Sequence, residues 1–342
     1  MIQYALSKRG NIMETRININ NKLKKALSKF HVTSLHINND ILTMLNYNKK
    51  YVIKTLNKSK INNYNAIINY NRFEDQEVSL AIQKFINTIS KDFTKEELVL
   101  FYRNISSLKV ERTNNKDICG RYNILKNTIE ITNINHIYHE LFHVATTIHT
   151  KDSEICGFWQ YNSSLDDGIG NGLNEGYTQL LTERYFGVED VKDDSYRYEI
   201  IVAKALEHII GKDKMKSLYI NANLNGIIKE LKNYNSTKEV FCFMNRLDFI
   251  CNNRYKSNLS YFRQNKVIEY IRYINHFLIV SYIDKLNNDH VTKDEFDKKI
   301  SKFLDLFITD IVLNDRACNL DILMQYTVDN YSKNKIIKRI YK

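Results

Sequence analysis

The sequence predicts an α+β chain that is mostly α: a strand-containing middle followed by an all-helical C-terminal part. Three observations carry this reading. Ile129 and Ile131 alternate with Thr128, Glu130 and Thr132, the period of a half-buried strand. From Asn133 the period switches, and Ile137, Leu141, Val144 and Ile148 recur as one helical stripe. After Asp193 nearly every segment carries helical spacing.

Taken in order, residues 1–60 are polar and basic with scattered apolar positions, consistent with partial helix. A helix is expected from Asp75 to about Ser90, and another from Thr94, where Thr94 and Glu97 fit a capping box. Residues 118–132 are expected to be extended. A helix carrying the Ile137–Ile148 stripe follows, and a further helix is expected from about Asn174 to Phe186, with Tyr177, Leu180, Leu181 and Tyr185 on one face. The later helices are expected at 196–210, 225–233, 237–250, 266–286 and 293–313, the last opened by a Thr292/Glu295 capping box. The expected regions are a basic, partly helical 1–60, a core over 61–190, and a helical subdomain over 191–342.

Composition limits the function classes. The chain has 342 residues, no Pro, ten Gly and five Cys. It is long enough to bury a core, and 43% hydrophobic residues exclude a wholly disordered chain. No apolar run is long enough to span a membrane. Met1–Gly10 lacks the apolar segment of a secretory signal. An odd number of irregularly spaced cysteines is no disulfide framework, so a reducing, cytoplasmic setting is expected. The net charge of +11 sits at the ends. Residues 1–60 carry +10, residues 333–342 carry +5, and the body between them carries −4. That pattern does not fit a globally basic nucleic-acid clamp. The basic N-terminal region suits an acidic partner, nucleic acid or an anionic membrane surface; a solvated helical subdomain fits equally.

The chemistry lies in His139-Glu140-Leu141-Phe142-His143, an H-E-x-x-H motif. Four residues of helix turn through about 400°, so the two imidazoles stack on one face and can share a metal ion. Glu140 lies beside them, placed to hydrogen-bond a water on the metal. Chance would produce this motif in roughly 1% of chains of this composition, and rarely on an amphipathic helix after a strand. Two residues compete as third ligand. His149 gives the metzincin spacing, but Thr146 stands where that pattern needs Gly, and a β-branched residue tolerates positive φ poorly. If the helix continues, His149 faces away. Glu175, in Leu173-Asn174-Glu175-Gly176 at the start of the next helix and 32 residues after His143, is the better candidate.

His139-Glu140-x-x-His143 followed by Leu173-Asn174-Glu175-Gly176 resembles the gluzincin branch of zinc metallopeptidases. The L-N-E-G flank resembles the membrane-alanyl-aminopeptidase family. The gap between the motifs is longer than in that family or in the thermolysin family. No G-A-M-E-N-like segment precedes the helix, which argues against an aminopeptidase. The resemblance covers roughly residues 118–186. It implies a zincin-like core with a small mixed sheet and an active-site helix, Zn2+ held by His139, His143 and Glu175, and Glu140 as general base for a metal-activated water. It thereby implies a zinc-dependent endopeptidase acting on peptide or protein substrates. It implies that Gln179 orients a ligand imidazole, that residues 128–132 are the edge strand holding an extended peptide, and that a Tyr, His or Arg stabilises the oxyanion. Tyr161 and Tyr196 are the candidates for that last role. The rival readings are an inactive zincin-fold binding protein and a nucleic-acid-associated factor using the basic ends.

Five of the ten glycines fall between Gly157 and Gly176. They mark backbone needing unusual dihedrals, expected as a loop bordering the cleft and able to act as a lid. Asp166-Asp167-Gly168 lacks EF-hand spacing and reads as a turn. Nothing near Cys119 and Cys156 in the sequence assembles a Cys–His nucleophile, so buried thiols are expected; His136 is expected to be a solvated or packing residue, with a place at the cleft rim as the alternative.

Overall fold

The computed structural model describes residues 39–58, 73–115, 119–150, 153–163, 166–187, 196–253 and 260–308. The basic residues 1–38 and 333–342 lie outside these, as does the end of the helix expected at 293–313. The chain is mostly helical with small sheets, as an α+β reading requires. Among the described residues, no helix is long and apolar enough to cross a membrane.

Two compact units form. Among the described residues, one comprises those between 39 and 196 together with 212–227; the other comprises 197–211 and those between 228 and 308. The first unit holds the candidate site. It begins with α1 (Asn39–Lys58), whose Val52 joins Val99, Leu100, Ile148, Ile155 and Ala222 in one buried cluster. Asn48 Nδ2 of α1 donates to Gln160 Oε1 at 3.1 Å.

α2 (Gln76–Ile89) is capped by Asp75, whose carboxylate accepts from the Glu77 and Val78 amides. The Thr94/Glu97 box forms in both directions, at 2.8 and 3.2 Å. It closes a turn ahead of the short α3 (Val99–Ile105). Three strands follow: β1 (Lys109–Arg112), β2 (Gly120–Asn123) and β3 (Thr128–Ile131). Their order is β1-β3-β2, parallel on one side of β3 and antiparallel on the other. Ile129 and Ile131 are fully buried, as the alternation predicts. β3 is the centre of this sheet, not its edge. The sequence expectation missed this because the parallel partner β1 lies outside the extended window; among the described residues the edge strand beside the cleft is β2.

A single 3-10 turn (Ile134–His136) leads into α4 (Ile137–Thr146), the H-E-x-x-H helix. α4 stops at Thr146, earlier than the apolar stripe implies. Thr147 is extended at φ −85, ψ 135, and Ile148 is buried from a strand instead. The orphan carbonyls of this helix end are met by side chains. Asn104 Nδ2 donates to the carbonyls of Val144 and Thr147 at 2.9 and 2.8 Å, and Thr147 Oγ1 donates to His143 O at 2.8 Å.

The glycine-rich segment is not a loop. It holds the last two strands of an antiparallel four-stranded meander and the start of the helix that follows; the strands are β4 (Thr147–His149), β5 (Ser153–Cys156), β6 (Trp159–Asn162) and β7 (Asp167–Ile169), paired in that order. Gly157, at φ +54, makes the turn between β5 and β6. Asp166 takes φ +48 in the turn before β7, so Asp166-Asp167-Gly168 is a turn and strand start.

α5 (Asn171–Phe186) begins at Gly170, with φ +90. A Cβ there would lie 2.1 Å from Phe158 O, so only glycine lets the helix start against β6. α4 and α5 are locked by aromatic rings: Phe85 lies 5.0 Å from Phe142 and 5.6 Å from Phe186, and Tyr138 stacks on Phe186 at 4.2 Å. α7 (Lys212–Ile220), which no sequence pattern announced, sets Tyr219 against Phe158 and Tyr177 at 5.3 and 5.2 Å.

The second unit is built from α6 (Arg197–Ile210), α9 (Thr237–Asn253), α10 (Tyr261–Asn288) and α11 (Lys293–Ile308). α8 (Leu224–Leu231) straddles the bound between the units. Phe243 stacks on Phe277 at 4.6 Å and Tyr282 on Phe303 at 4.2 Å. The Thr292/Glu295 box caps α11 as expected.

Candidate metal centre

α4 presents His139 and His143 one turn apart, as the four-residue spacing requires. α5 brings Glu175 against them. His139 Nε2 lies 3.0 Å from His143 Nε2 and 3.2 Å from Glu175 Oε2; His143 Nε2 lies 3.5 Å from the same oxygen. Tetrahedral ligands at about 2.1 Å from an ion stand roughly 3.4 Å apart. The three donor atoms therefore have the spacing of one coordination sphere, and these residues could hold a metal ion. Two imidazole nitrogens and a carboxylate facing one another also form a donor set that a cation satisfies better than hydrogen bonds among themselves.

α4 ends before His149, whose backbone lies on β4 opposite Glu154. Glu175 completes the group with the two helical histidines. It is the fifth residue of its helix, because α5 begins at Asn171 and not near Asn174.

The group lies in a cleft of about 630 Å³. β2 contributes Gly120, Arg121 and Tyr122 to its wall, with Glu140, Trp159, Gln179 and Tyr196 among the other lining residues. Glu140 is buried. A Cβ on Gly120 would stand 3.0 Å from Glu140 Oε1, so the edge strand passes this carboxylate at a distance only glycine leaves undisturbed. Gln179 Oε1 is 2.9 Å from His139 Nδ1 and can accept its N–H, leaving Nε2 for a metal. The tyrosine candidates separate. Tyr161 donates to Asp166 at 2.6 Å away from the cleft lining, whereas Tyr196 lines the cleft and stacks on His139 at 5.9 Å with the rings 15° apart. Tyr196 also adopts φ +65, rare for a bulky residue, and such strain gathers at functional sites.

One expectation is corrected. Cys119 is exposed, not buried, and lines the cleft together with His136. Cys156 is buried as expected, and its Sγ is 3.4 Å from His143 Nδ1. That contact depends on where β5 runs, so no sequence signal announced it. Asn174 also touches this ring, at 3.3 Å; its position next to Glu175 was the only available hint.

The electrostatics couple the group. Burial pushes Glu175 up, but the charge of His143 and hydrogen bonds from both histidines outweigh it, and the carboxyl is held well below its ordinary 4.5. Burial pulls His143 down, yet Glu175 and Cys156 raise it well above its ordinary 6.5. In the metal-free protein the pair is then an ion pair. The Glu175 contribution to stability is present above pH 4.5 and fades as pH falls towards its lowered folded value. The His143 contribution is full below pH 6.5 and fades as pH rises through its raised folded value. Thermal unfolding of metal-free protein against a His143→Gln variant should show the largest stability gap between pH 4.5 and 6.5, narrowing on both sides. A gap independent of pH contradicts the pairing.

Comparison with known proteins finds no match: no family model, no curated protein and no solved structure.

Proposed function

We propose that the chain is a zinc-dependent peptidase, an endopeptidase built on a zincin-like core. The observation that carries this reading is the convergence of His139, His143 and Glu175 in an open cleft with the Glu140 carboxylate beside them. Two imidazoles and one carboxylate, with room for a further ligand, suit catalytic zinc. A zinc ion held there supplies Lewis acidity towards the scissile carbonyl and lowers the pKa of water from 15.7 towards about 7.

The chain's own groups do the rest. Glu140 accepts the proton of the attacking water and delivers it to the leaving amine. Gln179 orients His139 through the 2.9 Å contact at Nδ1. Tyr196, stacked on His139 in the cleft, is the candidate donor to the oxyanion. Among the described residues β2 pairs with β3 alone, and its other edge offers main-chain groups to an extended peptide.

Purified protein is expected to carry close to one zinc per chain. Chelation should abolish cleavage of a peptide library, and added zinc should restore it. His139→Ala should fail to bind the metal. Hydrolysis that survives complete metal removal overturns the reading, and a loaded protein that cleaves nothing supports a binding role instead.

A further inference from the structure

His143 is held at both ring nitrogens. Nε2 faces His139 and Glu175. Behind the ring, Nδ1 meets two groups: Asn174 Nδ2 at 3.3 Å and Cys156 Sγ at 3.4 Å. These two are not equivalent. The Asn174 amide oxygen accepts the Phe158 backbone N–H at 3.1 Å, which fixes the amide's orientation and turns its NH2 towards the ring. An NH2 group can only donate. A thiol can donate through S–H and accept at sulfur.

For Nε2 to offer its lone pair to a metal, the ring hydrogen must sit on Nδ1. That hydrogen needs an acceptor, because ring, thiol and amide are all buried and a buried donor left unsatisfied is costly. Of the two described neighbours of Nδ1, only sulfur can accept. The Cys156 S–H has its own outlet in the His143 backbone carbonyl, 3.5 Å away. The Thr146 hydroxyl also lies 3.7 Å from the sulfur, but its hydrogen has the Phe142 and His143 carbonyls to go to, at 3.1 and 3.3 Å, so a sulfur lone pair remains for the ring. Cys156 itself is fixed as the last residue of β5, paired to Thr147 on one side and Trp159 on the other.

We infer that Cys156 is a positioning residue for the metal centre: its sulfur accepts the His143 Nδ1–H and holds the imidazole in the tautomer that leaves Nε2 open to the ion. The inference rests on the reading of His139, His143 and Glu175 as metal ligands. The two histidines are thereby steadied by different chemistries, an amide oxygen at His139 and a soft sulfur at His143.

The test is zinc affinity, measured by chelator competition on the full chain, with no activity required. Cys156→Val keeps the approximate volume and removes the acceptor; Cys156→Ala removes both. Each is expected to bind zinc about 10–100-fold more weakly. Cys156→Ser, whose hydroxyl can also donate and accept, should stay close to the parent. Nitrogen NMR of the His143 ring in the zinc-loaded parent needs no variant and covers the case in which the substitutions fail to fold. It should show hydrogen on Nδ1 and metal on Nε2. Unchanged affinity in Cys156→Val, or metal on Nδ1, overturns the inference while leaving the metal centre standing. A parent protein that binds no zinc removes the metal centre itself, and the inference with it.

Discussion

Glu140→Gln is expected to keep its zinc and lose peptide hydrolysis by about 10²–10⁴-fold in kcat, the usual worth of a positioned general base. Glutamine has the same shape, so the buried position against Gly120 and the α4 backbone need not change. What it lacks is a basic oxygen. The comparison is made at matched zinc content, which separates lost chemistry from lost metal. A fall confined to KM, or activity equal to the parent, sinks the role given to Glu140.

Gly170→Ala is expected to be the most damaging single substitution for stability, costing about 4 kcal/mol or more. Two penalties combine there. The backbone at φ +90 disfavours any side chain, and the new Cβ would lie 2.1 Å from the Phe158 carbonyl, a backbone atom that cannot swing aside. Gly211→Ala is the control. Its φ of +101 is equally unfavourable, but nothing lies within 4 Å. It should cost only the conformational strain, about 1–3 kcal/mol. Denaturant unfolding of both variants checks this; equal losses would mean that the collision with Phe158 is relieved by movement of α5.

The parts legible in the sequence were those decided by neighbours along the chain. The helix expected from Asp75 starts there, and the Thr94/Glu97 and Thr292/Glu295 boxes make their expected hydrogen bonds, although the first closes a turn and its helix starts only at Val99. The H-E-x-x-H spacing put both imidazoles on one face because helix geometry leaves no other result. Glu175 and Gln179 were legible through resemblance, and both reach the histidines. The parts decided by distant residues were not legible. α4 ends where Asn104, from another helix, takes its carbonyls. β3 is central because β1 arrives from upstream in parallel. The meander's strands are three or four residues long, too short for alternation to stand out, and their glycines suggested a loop. Lys212–Ile220 forms a helix despite four charged residues in nine, because Met215, Tyr219 and Ile220 are buried by their surroundings.

The meander also has a consequence for the order in which the protein folds. Each of its strands pairs with its immediate neighbour in the chain, so the stretch joining the two ligand helices closes through a series of short loops. Closure entropy grows with loop length, and contacts between near neighbours form fastest. The histidines and the glutamate can therefore be drawn together early, by local zippering. Tyr219 comes later. Its ring packs on Phe158 and Tyr177, and its hydroxyl lies 2.6 Å from Thr178 Oγ1 beneath the glutamate's helix. On a growing nascent chain the donor atoms would meet before that floor is synthesised, and tight metal capture would wait for α7 to dock.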